Sequence, residues 1–315
     1  DDPSIFMDPV ISSVYEPGSV FKLLTVIAGL ETGTTSLDKT YRDTQFLKLE
    51  DGIAYSRNIV AARVALGLAP TTAEASDILH AVWLKMGFGS PTGVDLSGEV
   101  GGLVNDPAIR PWRQIDLANG SFGQGVAVTP MQLATAYAAM VNGGTLVQPH
   151  VVAQIGGQVV DAPSRGSVLD ASLSPTLMNL LHHVMTIPWY KPLATAPGYW
   201  LGAKTGTAQV WDAKHHRWFA NTYNFSAVGF IARTPEHPDL VVAVQIHNGR
   251  PGRNAKTQLI VPVASTELFR RIATDAITTP GLVPVLPASF LQPASAPASS
   301  PTIDPVDSYI GPDGR

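Results

Sequence analysis

Three apolar runs close together in the chain limit its architecture more than any other feature: Tyr199 to Val210, Tyr223 to Ala232 and Leu240 to His247. Each has strand-like length and content, and the connections between them are short. Parallel strands need a long crossover, so these three predict an antiparallel meander. Helical patterns come before it. One helix is expected from Gly18 to Thr32, apolar at Phe21, Leu23, Leu24, Val26, Ile27 and Leu30 and ended by Gly33. Others are expected from Ser56 to Leu66 and from Thr72 to Met86. Thr129, Pro130 and Gln132 form a capping-box start for a helix that runs through Ala139 and ends at Asn142-Gly143-Gly144. Ser174-Pro175 opens another that ends near Thr186, and a last helix runs from about Thr257 to Ile277. Residues 34–55 and the glycine-rich 87–128 show little periodicity, and 145–160 alternate like a hairpin around Gly156-Gly157. Helices followed by a meander and a closing helix predict an α+β domain.

Polar motifs sit at the starts of these elements. Ser19-Val20-Phe21-Lys22 opens the first helix, with serine and lysine one turn apart on one face. The helix N-terminus aims N–H groups and positive dipole at developing negative charge. Ser56-Arg57-Asn58 opens the second helix, and Lys204-Thr205-Gly206-Thr207 lies on the first strand. A serine hydroxyl needs a nearby base to become a nucleophile. Lys22 serves if burial and a neighbouring cation lower its pKa, and Lys204 can be that cation while holding a substrate carboxylate. Ser56 can relay a proton to a leaving amine, and Asn58 can hold Lys22 and a substrate amide. Gly206 removes a side chain where a substrate backbone must approach, so that an extended peptide can pair with the strand edge. The N–H groups of Ser19 and Thr207 can form an oxyanion hole.

Composition removes other chemistries. The 315 residues hold no cysteine, which excludes a thiol nucleophile, disulfides and cysteine-bound zinc. Charged residues are 15% and the net charge is −4, with no basic run to suggest nucleic acid. No apolar run reaches the ~20 residues of a membrane span. The chain starts Asp1-Asp2-Pro3 with no signal peptide in view, so it reads as a piece of a longer protein whose membrane anchor, if any, lies outside it. From Pro284 onward Pro, Ala and Ser dominate, and a disordered tail over 284–315 is expected after a domain spanning 1–283.

Together, in order, the three motifs match the S-x-x-K, S-x-N and K-T-G set of penicillin-recognising serine enzymes. Roughly over residues 5–275 the chain resembles the transpeptidase domain of class B penicillin-binding proteins. The likeness includes Tyr15-Glu16-Pro17-Gly18-Ser19, the stretch Phe122-Gly123-Gln124-Gly125 through Leu133, Ala138 to Gly144, and Asn224 to Phe230. It implies an antiparallel sheet flanked by helices plus an all-helical lobe. It also implies Ser19 as nucleophile, Lys22 as base, Ser56 as relay and Asn58 as positioning group. Lys204, Thr205, Gly206 and Thr207 would bind the substrate carboxylate and oxyanion. The implied substrates are peptidoglycan stem peptides ending in D-Ala-D-Ala, with β-lactams acylating the same serine and no cofactor or metal. The implied place is the extracytoplasmic face of the bacterial cytoplasmic membrane, with division or elongation proteins as partners. Arg57 fills the variable middle position of the second motif, and the Gln124-Gly125 stretch looks more like the division type. The family's sheet has two strands before the nucleophile helix. Pro3, Pro9 and Pro17 argue against them here, so those strands are expected to be missing from this piece.

Blander readings stand beside these. Ser56 alone reads as a helix cap. His182-His183 and His215-His216 suggest a metal, but adjacent histidines on a helix point apart and no carboxylate-rich motif accompanies them. Trp211, Trp218 and Phe219 flank the loop after the third motif and read as cleft lining or as ordinary packing. A serine β-lactamase competes as a second enzyme reading, without a visible deacylating carboxylate. A β-lactam sensor or non-catalytic division scaffold is the reading outside catalysis.

Overall fold

The computed structural model describes residues 7–279, apart from 162, 189, 213, 254–259 and 262. Its longer helices are α1 (Lys22–Glu31), α2 (Leu49–Ala54), α3 (Asn58–Leu66), α4 (Thr72–Lys85), α5 (Gln114–Gly120), α6 (Pro130–Val141), α7 (Leu173–Thr186) and α8 (Val263–Thr278). One sheet contains β1 (Trp200–Asp212), β2 (Arg217–Thr234) and β3 (His237–Gly249), in that order and antiparallel throughout. This is the expected α+β arrangement.

Helix α1 is the centre of the helical lobe. Its residues from Lys22 to Gly29 are all buried, as a helix apolar on every side must be. Leu23, Leu24, Val26 and Ile27 lose nearly all solvent contact, worth about 1.5–3 kcal/mol each. Helices α3 and α4 pack on α1, α7 lies along β1, and α6 and α8 cover β2 and β3. Two capping boxes start elements cleanly. Thr71 with Glu74 begins α4, and Thr129 with Gln132 begins α6.

The departures from expectation lie in the weakly periodic stretches. Residues 34–55 hold a ribbon, Thr40–Arg42 paired with Phe46–Lys48, and then α2. Three-residue strands are too short to display alternation. Helix α5 interrupts the 87–128 stretch. The Gly156-Gly157 turn joins only the two-residue strands Gln154–Ile155 and Gln158–Val159, while Thr145–Val147 pairs with the later Ser164–Ser167. The second helix begins at Asn58, not at Ser56. The expected start of the last helix at Thr257 and the tail from Pro284 lie outside the described residues. Among the described residues the main sheet has three strands, and the outer edges of β1 and β3 carry no partner strand. No helix among them is long and apolar enough to cross a membrane.

Candidate active site

Ser19 lies in a single 3-10 turn, Gly18–Phe21, that runs directly into α1 at Lys22. In this tighter winding residues three apart eclipse each other, which stacks Lys22 under Ser19. The turn is clamped on several sides. The Gly18 N–H donates to the Gly123 carbonyl at 3.2 Å, and the Tyr137 hydroxyl donates to the Val20 carbonyl at 2.6 Å. Thr25 donates to the Ser121 carbonyl at 2.8 Å, and the Gly125 N–H donates to the Glu16 carboxylate at 3.0 Å. Burial raises the Glu16 pKa, and the bond from Gly125 opposes that rise. The similar stretch Phe122 to Leu133 is therefore the segment that seats the Ser19 turn. Gly123 has a φ of +80°, and a Cβ there would meet the Gly18 carbonyl oxygen at 2.3 Å.

The second motif does not start with a helix cap. Ser56 follows α2 with a left-handed φ of 58°. Its N–H donates to the Ile53 carbonyl at 3.0 Å, and the Arg57 N–H reaches back to Gly52 at 2.7 Å. This is a Schellman ending, with serine in the position glycine normally fills. Arg57, which holds the N-cap position of α3, pairs through its Nε with Asp43. Both side chains are buried, so the variable residue of the motif carries an interior ion pair.

Two buried lysines converge on Ser56. Lys22 Nζ donates to the Ser56 backbone carbonyl and lies 3.2 Å from Ser56 Oγ. Lys204 Nζ lies 3.0 Å from the same Oγ and 3.1 Å from the Thr205 carbonyl. Burial pulls the Lys204 pKa down to about 7. Burial also drives Lys22 well below its ordinary range, reinforced by the Lys204 and Arg57 cations and opposed by Asp43.

The third motif lies on β1, with Lys204 opposite Val228, Gly206 opposite Ser226 and Thr207 opposite Phe225. A Cβ at Gly206 would meet Ser226 Oγ at 2.4 Å and the Pro17 carbonyl oxygen at 2.5 Å. The glycine therefore admits the chain's own Pro17–Ser19 segment; the close approach expected from a substrate backbone is made by Pro17. Thr205 is buried, and its hydroxyl is 2.7 Å from the Tyr190 hydroxyl. Thr207 is half-buried.

Ser19, Lys22, Ser56, Lys204 and Thr207 are thus brought to one place, with Asn58 at the first turn of α3. Ser19 Oγ and the Asn58 side chain make no hydrogen bond among the described residues, so the expected Lys22–Asn58 contact is replaced by the bonds from Lys22 to Ser56. Asp43, Tyr137 and Tyr190 touch the motif residues and carry no signal in the sequence, because each comes from a distant segment. The histidines have separate duties. His182 Nδ1 lies 2.7 Å from the Leu201 carbonyl, His183 Nε2 is 3.0 Å from Asp51, and His215 Nδ1 is 2.6 Å from Asp212. No group of three or more potential ligands is gathered for a metal among the described residues. Trp211, Trp218 and Phe219 stand exposed near the end of the β1–β2 hairpin.

Comparison with known proteins agrees with this geometry. The sequence model of the "Penicillin binding protein transpeptidase domain" family matches residues 3–265. Stage V sporulation protein D of Bacillus subtilis is 30% identical over 268 residues, covering 78% of this chain and 40% of that protein. Peptidoglycan D,D-transpeptidase FtsI of Escherichia coli is 28% identical over 215 residues, covering 63% of this chain and 34% of that protein. Among solved structures, penicillin binding protein 3 of Mycobacterium tuberculosis in complex with aztreonam superposes with a TM-score of 0.71 at 25% identity, covering 88% of this chain and 66% of that one. The chain spans about two fifths or less of the length of these curated relatives. With its motifs gathered on one fold and the family matched over most of its length, the chain belongs to the penicillin-binding protein transpeptidase domain family.

Proposed function

We propose that this chain is the acyl-transferring domain of a peptidoglycan D,D-transpeptidase. One observation carries the reading. Two buried lysines share a single serine hydroxyl beside the turn that holds Ser19. Burying two ammonium groups together is strongly unfavourable, so the arrangement keeps an amine neutral and able to take a proton.

In this reading Ser19 Oγ attacks the carbonyl of the penultimate D-alanine. Lys22 accepts the hydroxyl proton as the O–C bond forms. The N–H groups of Ser19 and Thr207 bear the oxyanion, and loss of one such donor costs about 3–4 kcal/mol. As the C–N bond breaks, the Ser56 hydroxyl passes the proton from Lys22 to the departing D-alanine amine. Lys204, Thr205 and Thr207 hold the terminal carboxylate, with the Tyr190 hydroxyl orienting Thr205. The amine of a second stem peptide then attacks the acyl-enzyme, and the same relay runs in reverse. Lys22 is engaged with Ser56 at rest, and its contact to Ser19 tightens when substrate arrives. A β-lactam acylates Ser19 by the same first step. The substrate lies outside the cytoplasmic membrane, so the domain works there, in division-type wall synthesis with division proteins as partners.

The test is acyl-enzyme lifetime. The penicilloyl adduct should persist for minutes or longer, and a D-Ala-D-Ala donor should exchange its terminal residue for an added D-amino acid. Consumption of many equivalents of a chromogenic cephalosporin would move the assignment to a β-lactamase.

A further inference from the structure

The segment that seats the nucleophile turn also lines a cavity of about 200 Å³. Trp83 and Trp112 form its aromatic wall, with ring centroids 5.1 Å apart. Trp83 is buried, and its Nε1–H meets no acceptor among the described residues. Buried donors in folded proteins are normally satisfied. Around the two indoles stand the side-chain amides of Asn119 and Gln124 and the guanidinium of Arg110. None of these three makes a side-chain hydrogen bond or an ion pair among the described residues. Asp116, also on the wall, is already held by Arg113 at 2.8 and 3.0 Å, so its charge is occupied.

This lining selects a ligand class. The half-buried Trp112 can offer an indole face to the C–H face of a saturated ring, while Trp83 lies buried behind it against Phe21. Planar amides and a guanidinium both fork toward neighbouring hydroxyl and acetamido groups, and the amides also accept. One arginine beside one carboxylate is a poor site for a polyanion. Val126 is the one aliphatic side chain in the lining, so a hydrocarbon has little to pack against. The volume equals that of about seven liquid waters, room for one substituted ring. We propose that this cavity is a subsite for one N-acetylated hexopyranose ring of a glycan strand. The proposal rests on the reading above, because stem peptides hang from such strands. It adds a contact to the sugar backbone. Trp83 packs on Phe21 at 5.3 Å, two residues after Ser19, so the occupied cavity buttresses the nucleophile turn.

The test is a titration of the full 15N-labelled chain with a peptide-free β-1,4-linked N-acetylglucosamine tetramer, reading indole N–H signals assigned by Trp83→Phe and Trp112→Phe. The Trp83 and Trp112 signals should move saturably in the millimolar range, and equally in Ser19→Ala. In Arg110→Ala and Asn119→Ala the affinity should fall about five- to tenfold, the equivalent of one lost polar contact. Arg110 is exposed, so that variant keeps its fold even if Asn119→Ala does not. Signals that stay still at tens of millimolar sugar, or that move equally in both variants, would overturn the subsite. So would movement with a free stem tripeptide and none with the sugar. Penicillin labelling of the unmodified chain reports on the catalytic reading separately, since sugar binding does not require a competent Ser19.

Discussion

Ser56 carries a backbone conformation that glycine adopts at lower cost. A non-glycine residue in the left-handed region loses roughly 1–2 kcal/mol, and such strain persists where the surroundings enforce it. Here the ending of α2 and the two lysines do so. Ser56→Gly relieves that strain by about 0.5–1 kcal/mol, after the greater unfolded-state freedom of glycine is subtracted. It also removes the hydroxyl that both buried lysines bond, a loss of about 1–3 kcal/mol, so the variant should be less stable. The same variant should slow acylation by at least about a hundredfold, the usual scale of a lost proton-transfer group. Chemical unfolding and stopped-flow penicillin labelling measure the two effects, and a variant that is both more stable and fully active would show that the Ser56 hydroxyl has neither role. At this scale the grouping of Lys22, Ser56 and Lys204 was legible from the three ordered motifs, while their chemical roles, and that of Ser19, belong to the proposal above. The strained φ of Ser56 was not legible, since serine beside a helix ordinarily signals a cap. The Arg57–Asp43 pair was hidden as well, because Asp43 lies in a ribbon whose strands are too short to show a pattern.

The site is an assembly of a turn, a helix ending and a strand. The Ser19 turn is pinned between β1 and the Gly123 loop. Gly206→Ala tests this contact directly. Its methyl would meet Ser226 Oγ, which can rotate, and the Pro17 carbonyl, which cannot move without shifting the turn. Overpacking of this kind costs about 1–3 kcal/mol. The variant should melt lower and acylate at least about tenfold more slowly, because a small misplacement of a reacting group is expensive in rate. An unchanged labelling rate in the folded variant would show that β1 does not position Ser19. The meander, α4 and α6 were legible from periodicity and capping residues. The 3-10 start before α1 was not, because its single turn shares the apolar pattern of the helix that follows. Pairing of Thr145–Val147 with Ser164–Ser167 also escaped, since a nearer glycine turn offered a simpler hairpin.

Across the whole molecule, buried lysines tie stability to pH. Lys204 has a folded pKa of about 7 against 10.5 for a free lysine. Between those values the unfolded chain binds the proton that the folded chain releases, so stability rises with pH. The slope from this one group reaches about 1.4 kcal/mol per pH unit. It reverses near the free tyrosine value of 10, where buried Tyr15, Tyr137 and Tyr190, each held protonated by burial, begin to favour the unfolded chain. Denaturant titrations from pH 7 to 9.5 should show the rise, and Lys204→Met should make it shallower while buried Lys22 keeps part of it; an equal slope in that variant would place the proton elsewhere. The order of helices, meander and closing helix was legible at this scale, and so was the three-stranded sheet. How distant segments close over Lys22 was not, because burial of a charged side chain follows from tertiary packing alone. The proposed reaction requires that these segments make Ser19 a nucleophile. Intact-mass spectrometry of the full chain after incubation with penicillin is the test. One added penicillin mass is expected, located on the peptide that carries Ser19 and absent from a folded Ser19→Ala variant. An unlabelled wild-type chain that is folded, or a Ser19→Ala chain that still gains the mass, would contradict it.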